Sequence, residues 1–234
     1  YGYTFVLKNA KRIVPQTEKG IKEFLKRCAK GIGSKTAGLI VETFGMNTIR
    51  MIEADWRNLL KVPGIGEKRA KKIYENLITH KRFEEIALYA LSQGASYNTA
   101  IRIYEHLGES AILRIKENPY ILCTIPKIGF EEADKFGKGE HVAFHDMERV
   151  KYGILEFLDR NTKSKGNLYL EKAILVQYFN QFLITIGAYK EVKKSEYVTE
   201  ERLNEALKQL LREEKIVIDR DIHGTDCIYL KSYH

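Results

Sequence analysis

Cysteine is scarce: Cys28, Cys123 and Cys227 are the only three in 234 residues, and they stand far apart. Without paired spacing they specify neither a disulfide framework nor a zinc site, and they read as core thiols of a reducing cytoplasm. No run of about eighteen apolar residues and no signal-peptide pattern occurs, so nothing in the sequence is built to span a membrane. Glycine-lysine-serine/threonine never occurs in succession, which removes the loop that cradles a nucleoside triphosphate. The nearest approach, GIGSKT at 31–36, interposes Ser34 between Gly33 and Lys35 and follows a helical pattern, not a strand. No Ser-His-Asp, Cys-His or paired-carboxylate arrangement stands out, and the acidic residues scatter over helix faces. His141 and His145 read as the flanks of a helix start capped by Asp146, so no metal, cofactor or catalytic centre is expected in this segment.

What is present is a globular composition, 44% apolar and 30% charged, with a formal charge of +8 and a pI near 9.2. The basic balance favours a polyanionic partner. The length suits two domains, each large enough for its own core. Residues 1–14 alternate apolar and polar positions and stop at Pro15, as a strand leaving another domain does. With no initial methionine, this opening leads us to expect a piece of a longer polypeptide.

The rest of the chain is organised around VPGIGEKRAKKI, Val62 to Ile73. Gly64 and Gly66 bracket one apolar residue, a pattern that lets the backbone turn and converges N–H groups on one point. The helix that follows aims its unsatisfied amides and positive dipole end there, and Lys68, Arg69 and Lys72 add full charges. Ala70 keeps the helix root thin, and Ile65 and Ile73 anchor the turn inward. This pattern resembles the helix-hairpin-helix DNA-binding motif. KGIGSKTAGLI repeats it upstream, with Gly31, Ile32, Gly33 and Ala37 in register and Ser34 and Lys35 beginning the helix. A worn third copy is QGASYNTAIRI, with Gly94, Ala100 and Arg102. The fourth is IPKIGFEEADKF, with Gly129 and Ala133, where Glu131, Glu132 and Asp134 follow the turn and should repel phosphate.

The copies pair. An offset of 63 residues superimposes Gly31 to Ile73 on Gly94 to Phe136 without a gap, keeping Ala37/Ala100, Ile40/Ile103, Gly45/Gly108, Ile52/Ile115, Leu59/Leu122, Pro63/Pro126, Gly66/Gly129 and Ala70/Ala133 identical. The chain is therefore read as mostly α, with two tandem double hairpins over residues 16–140. Helices are expected from Thr17 to about Ala29, over Ser34 to Phe44, as two short pieces between Thr48 and Leu60, over Glu67 to Leu77, Phe83 to Leu91, and from Ser96 to His106. Residues 136–141, FGKGEH, read as a linker. Residues 141–234 run helix, short strand LYL at 168–170, helix, a helix capped by Thr199, then KIVID and CIYL joined at His223-Gly224. That order is winged-helix-like and α+β, but the third helix starts Glu200, Glu201, a poor face for phosphate.

Taken together, YGYTFVLKNAKRIVPQTEKGI, the turns KGIGSKTA and VPGIGEKRA, HLGESAILRIKENPYIL running into IGFEEADKFG, and EEKIVIDRDIHGTDCIYLKSY resemble the N-terminal region of RecD-like, TraA-type bacterial DNA helicases, often named exodeoxyribonuclease V alpha subunit. The resemblance implies that residues 1–15 end a truncated oligonucleotide-binding barrel. It also implies an ATP- and magnesium-dependent 5′ to 3′ motor after the segment, with a role in recombination or repair. The expected function is backbone gripping of DNA without base readout by Gly31, Gly33, Ser34, Lys35, Gly64, Ile65, Gly66, Lys68, Arg69 and Lys72, with Arg102 a lesser contact. Expected partners are DNA and the chain's own C-terminal motor, in the cytoplasm and without a membrane. The alternative is a protein-interaction scaffold that docks a motor or partner without touching DNA.

Overall fold

The computed structural model describes Pro15 and residues 17–29, 32–165 and 169–233. The strand expected over 1–14 and Gly31 of the first hairpin lie outside the described residues. The chain divides into two compact units between Ser92 and Gln93.

In the first unit Thr17 caps α1 (Glu18–Cys28), its hydroxyl accepting from the Gly20 amide at 3.1 Å. Next come α2 (Ser34–Phe44), α3 (Thr48–Ala54), a 3-10 turn over Trp56–Lys61, and α4 (Glu67–Ser92). Their apolar positions recur at helical spacing and meet in one core: Ile21 and Leu25, Ala37 and Ile40, Ile52, Leu59, Ala70, Ile73 and Leu77. Ala37 and Ala70 are fully buried, and their small size lets the two hairpin helices root closely in that core.

α4 runs unbroken through 26 residues, where the sequence led us to expect two helices with a break between Leu77 and Phe83. The stretch between them, Ile78-Thr79-His80-Lys81-Arg82, holds neither glycine nor proline, so nothing ends the ladder. The Lys81 ammonium bonds Glu53 at 3.1 Å, and the His80 ring meets Phe24 edge-on, which ties this middle turn to its own unit.

The second unit repeats the first without a gap. α5 (Tyr97–Leu107), α6 (Ala111–Glu117), the 3-10 turn Pro119–Thr124 and α7 (Phe130–Gly139) begin 63 residues after α2, α3, Trp56–Lys61 and α4. Backbone angles follow: Gly45 at φ 55, ψ −137 matches Gly108 at φ 61, ψ −148, a region that admits glycine almost alone. Asp55 and Asn118 likewise accept the amide two residues on, at 2.9 and 3.0 Å.

Gly137 lies inside α7 and is buried, so FGKGEH is not a linker. A Cβ there would sit 2.6 Å from the Tyr120 hydroxyl, and glycine is what lets the helix pass that ring. Beyond it follow α8 (Met147–Lys165), β1 (Leu170–Glu171), α9 (Lys172–Ile186), α10 (Glu200–Arg212), β2 (Ile216–Arg220) and β3 (Asp226–Leu230). The strands form an antiparallel sheet ordered β1-β3-β2, with Leu170 and Ile218 both opposite Ile228. Its inner face packs Leu170, Ile216 and Ile228 with Ile154, Leu175, Phe179, Leu203 and Leu207 in the buried core. Among the described residues all three cysteines are free thiols, and burial pushes that of Cys123 up to about 12.

Candidate nucleic-acid interface

The geometry of the second hairpin follows from two short bonds. Ile65 N–H donates to the Val62 carbonyl at 3.2 Å, closing the turn, and Ala70 N–H donates to Gly66 O at 2.9 Å, opening α4. The amides between Gly66 and Arg69 therefore precede the helical ladder and point out of the helix end. Gly64 carries φ 80 and needs glycine, whereas Gly66 has no positive φ and a Cβ there would meet nothing within 4 Å. The expectation that both glycines serve backbone bending is thus corrected: only Gly64 does. Gly33, capping α2 at φ −86 and ψ 172 with open space around its missing Cβ, matches Gly66 in this respect.

Ile65 is 6% exposed and its amide is engaged at 3.2 Å by Val62 O, so its side chain anchors the turn inward. Ser34, Lys35, Gly64, Gly66, Lys68, Arg69 and Lys72 are exposed. Arg69 donates from Nη2 to the Thr36 hydroxyl at 3.0 Å. That bond joins the first turn of α4 to the first turn of α2, so the two turns and their cations form one continuous surface. Sequence reasoning gave Arg69 to phosphate alone and missed Thr36; the signal was the 33-residue spacing that recurs when Thr99 donates to Glu132 at 3.1 Å. Lys71, by contrast, bonds Glu67 at 2.6 Å and lies 4.8 Å over the ring of Trp56, with Arg57 also 5.1 Å from that ring. The Lys71 bond is the main reason the Glu67 carboxyl titrates below its ordinary value.

The GIGSKT stretch does not suit a triphosphate with magnesium. α1 precedes it where such a loop needs a strand, and the Thr36 hydroxyl already accepts from Arg69.

In the second unit the corresponding surface has changed sign. Glu131 and Glu132 replace Lys68 and Arg69, and Lys127 occupies the place of Gly64 at φ 66. Asp134 does not acidify the turn as the sequence suggested: it is 1% exposed and faces inward. Tyr120 donates to it at 2.7 Å, and Arg149 Nη2 does so at 3.1 Å. Arg149 Nε lies 3.0 Å from the same carboxylate without hydrogen-bond alignment, an ion-pair contact only. The guanidinium also lies over Phe144 and Tyr189, at 4.7 and 4.6 Å. The fourth hairpin is thereby bound to α8. Arg102, half-buried on α5, belongs to the second unit.

Charge divides along the same line. Residues 1–92 hold 18 lysines and arginines against 9 acids, and residues 93–234 hold 21 against 22, so the whole basic excess lies in the first unit. Among the described residues no three potential metal ligands stand together, and no helix is long and apolar enough to cross a membrane.

Comparison with known proteins agrees with this geometry. Residues 21–77 match the SAM-like helix-hairpin-helix tandem family, and residues 79–169 match the helix-hairpin-helix domain family of ATP-dependent RecD2 DNA helicases. A curated relative, the ATP-dependent RecD2 DNA helicase of Deinococcus radiodurans, is 26% identical over 176 residues, 74% of this chain and 25% of its own. The chain thus spans about a quarter of the length of that relative. The two matched stretches meet within α4: residues 21–77 are similar to a helix-hairpin-helix tandem, and residues 79–169 are similar to the helix-hairpin-helix domain of RecD2 DNA helicases.

Proposed function

We propose that this chain is the non-sequence-specific DNA-binding region of an ATP-dependent 5′ to 3′ helicase of the RecD-like, exodeoxyribonuclease V alpha kind, acting in recombination or repair in the cytoplasm. The amides of Gly33, Gly64 and Gly66 and the charges of Lys35, Lys68, Arg69 and Lys72 grip the DNA backbone. ATP and magnesium belong to a motor in the same polypeptide, C-terminal to this region. Residues 141–234 act as a winged-helix-like domain. The observation that carries the reading is the Arg69–Thr36 bond, which brings two amide-bearing turns and their cations onto one surface in the unit that holds all the excess charge.

The test is binding of a labelled random-sequence duplex across a salt series. Engagement of roughly 3 to 5 phosphates gives a log–log slope of roughly −3 to −5. Lys68→Glu with Arg69→Glu should flatten it by about two and weaken all sequences alike. Trp56, the single tryptophan, sits against Lys71 and Arg57, and its emission should change on binding. A parent chain that binds no DNA at low salt overturns the reading and leaves the protein-docking scaffold. The near-neutral second unit and its inward-turned Asp134 favour a protein-contact role for that half alone.

A further inference from the structure

α10 turns one stripe away from the core. Leu203, Ala206 and Leu210 are buried, whereas Glu200, Asn204, Lys208 and Leu211, each three or four residues from the next, line two clefts. The clefts, of about 530 and 280 Å³, share Lys172 and Asp226 and so run into one groove between α10, the start of α9 and the β2–β3 hairpin. Towards the C-terminal end of α10 its floor is aliphatic, made by Leu207, Ile218 and Leu211, the last 46% exposed. Two cations stand over that floor: Lys172 and Lys208 make no ion pair among the described residues, while Asp226, the acid lining the same cleft, is held by Arg220 at 3.0 Å. Acids close by in the chain are likewise engaged, Glu205 by Arg202, Glu213 by Lys151 and Glu214 by Lys231. At the other end of the groove stands Glu200, also without an ion pair among the described residues.

Phosphate is a poor occupant, because the apolar floor offers it nothing and Glu200 repels it. A peptide answers every part. We propose that the groove docks an extended segment of a protein partner: an aliphatic side chain with a carboxylate on either side, and a cation farther along. The aliphatic group fills the space over Leu207, Leu211 and Ile218, the carboxylates meet Lys172 and Lys208, and the cation meets Glu200. From Glu200 to Lys208 the helical rise gives about 12 Å, which about four residues of extended chain cover. The cation and the farther carboxylate of the segment therefore stand about four positions apart. This groove lies wholly within the second unit and is separate from the DNA grip of the first.

The experiment titrates the whole chain into two fluorescein-labelled peptides, KSDLD and its reverse DLDSK, since either chain direction satisfies the spacing, and reads anisotropy. One of them should bind saturably. Replacing its leucine by serine should weaken binding about ten-fold, the worth of burying one aliphatic side chain. Lys172→Glu with Lys208→Glu should also weaken it about ten-fold, and this variant should instead take the peptide whose aspartates are replaced by lysines. That rescue excludes unfolding as the cause of the loss. Glu200→Lys should weaken the parent peptide about three-fold and make no difference to one whose lysine is replaced by serine. Lys68→Glu with Arg69→Glu should leave peptide binding unchanged, and a random-sequence duplex should not displace the peptide. Binding of neither peptide, or binding that survives both the leucine replacement and the lysine reversal, overturns the docking groove. Displacement by duplex overturns it as well and assigns the groove to nucleic acid.

Discussion

At the scale of single residues, Gly64 and Gly66 separate what the fold needs from what a ligand needs. Gly64→Ala places a Cβ at φ 80 and should cost about 1 to 2 kcal/mol, read as a lower urea midpoint. Gly66→Val meets open space on an ordinary backbone and should leave that midpoint in place while weakening DNA binding, because the branched side chain stands where a phosphate approaches. A folded Gly66→Val chain that binds like the parent would show that the turn amides do not touch DNA. In the second unit the Asp134 carboxylate answers a buried guanidinium. Asp134→Ala should therefore destabilise by about 3 to 5 kcal/mol, the penalty of leaving Arg149 uncompensated. Burial raises the Tyr120 hydroxyl well above its ordinary range, and burial also pushes Tyr189 up to about 12. The folded state thus holds these protons longer than the unfolded chain, whose tyrosines titrate near 10. The stability they contribute is complete below about pH 10 and is lost as pH rises towards and through 12. Urea midpoints measured from pH 8 to 11 should fall at the alkaline end, and less steeply in Tyr120→Phe.

At the scale of elements, the sequence made legible whatever repeats and hid whatever the repeats became. The offset of 63 residues foretold helix starts, the short helical pieces and the paired glycines Gly45 and Gly108, because each is fixed locally by a cap, a proline or a positive φ. The continuity of α4 was missed because a charged, amphipathic middle looks like the edge of two helices, and only the absence of a breaker between Leu77 and Phe83 decides it. FGKGEH looked like a linker because glycine also marks close packing, and Gly137 serves the Tyr120 ring. Of the candidate site, Ser34, Lys35, Gly64, Gly66, Lys68, Arg69 and Lys72 were legible as an exposed set, and the inward side chain of Ile65 was legible from its spacing as a core anchor. The inward turn of Asp134 depends on Arg149, fifteen residues on and in another helix, a partnership that no local pattern carries.

At the scale of the whole molecule, duplication followed by divergence has left one double hairpin basic and turned the other towards α8. The basic excess is a property of residues 1–92, where cations outnumber acids two to one. A uniformly attractive protein and a localised grip differ in how they respond to the same loss of charge placed in different units. Lys68→Glu with Lys72→Glu, and Lys116→Glu with Lys208→Glu, lower the formal charge equally, and all four lysines are exposed. None of the four holds an ion pair among the described residues, so neither double variant sacrifices a structural bond. Were binding set by net charge, both pairs would shift the salt dependence alike. Counterion release from particular phosphates instead ties the slope to the contacts made, so the first pair should flatten it by about two and the second by less than about 0.5. Equal flattening by the two variants would dissolve the grip into a diffuse field and return the hairpins to the role of scaffold.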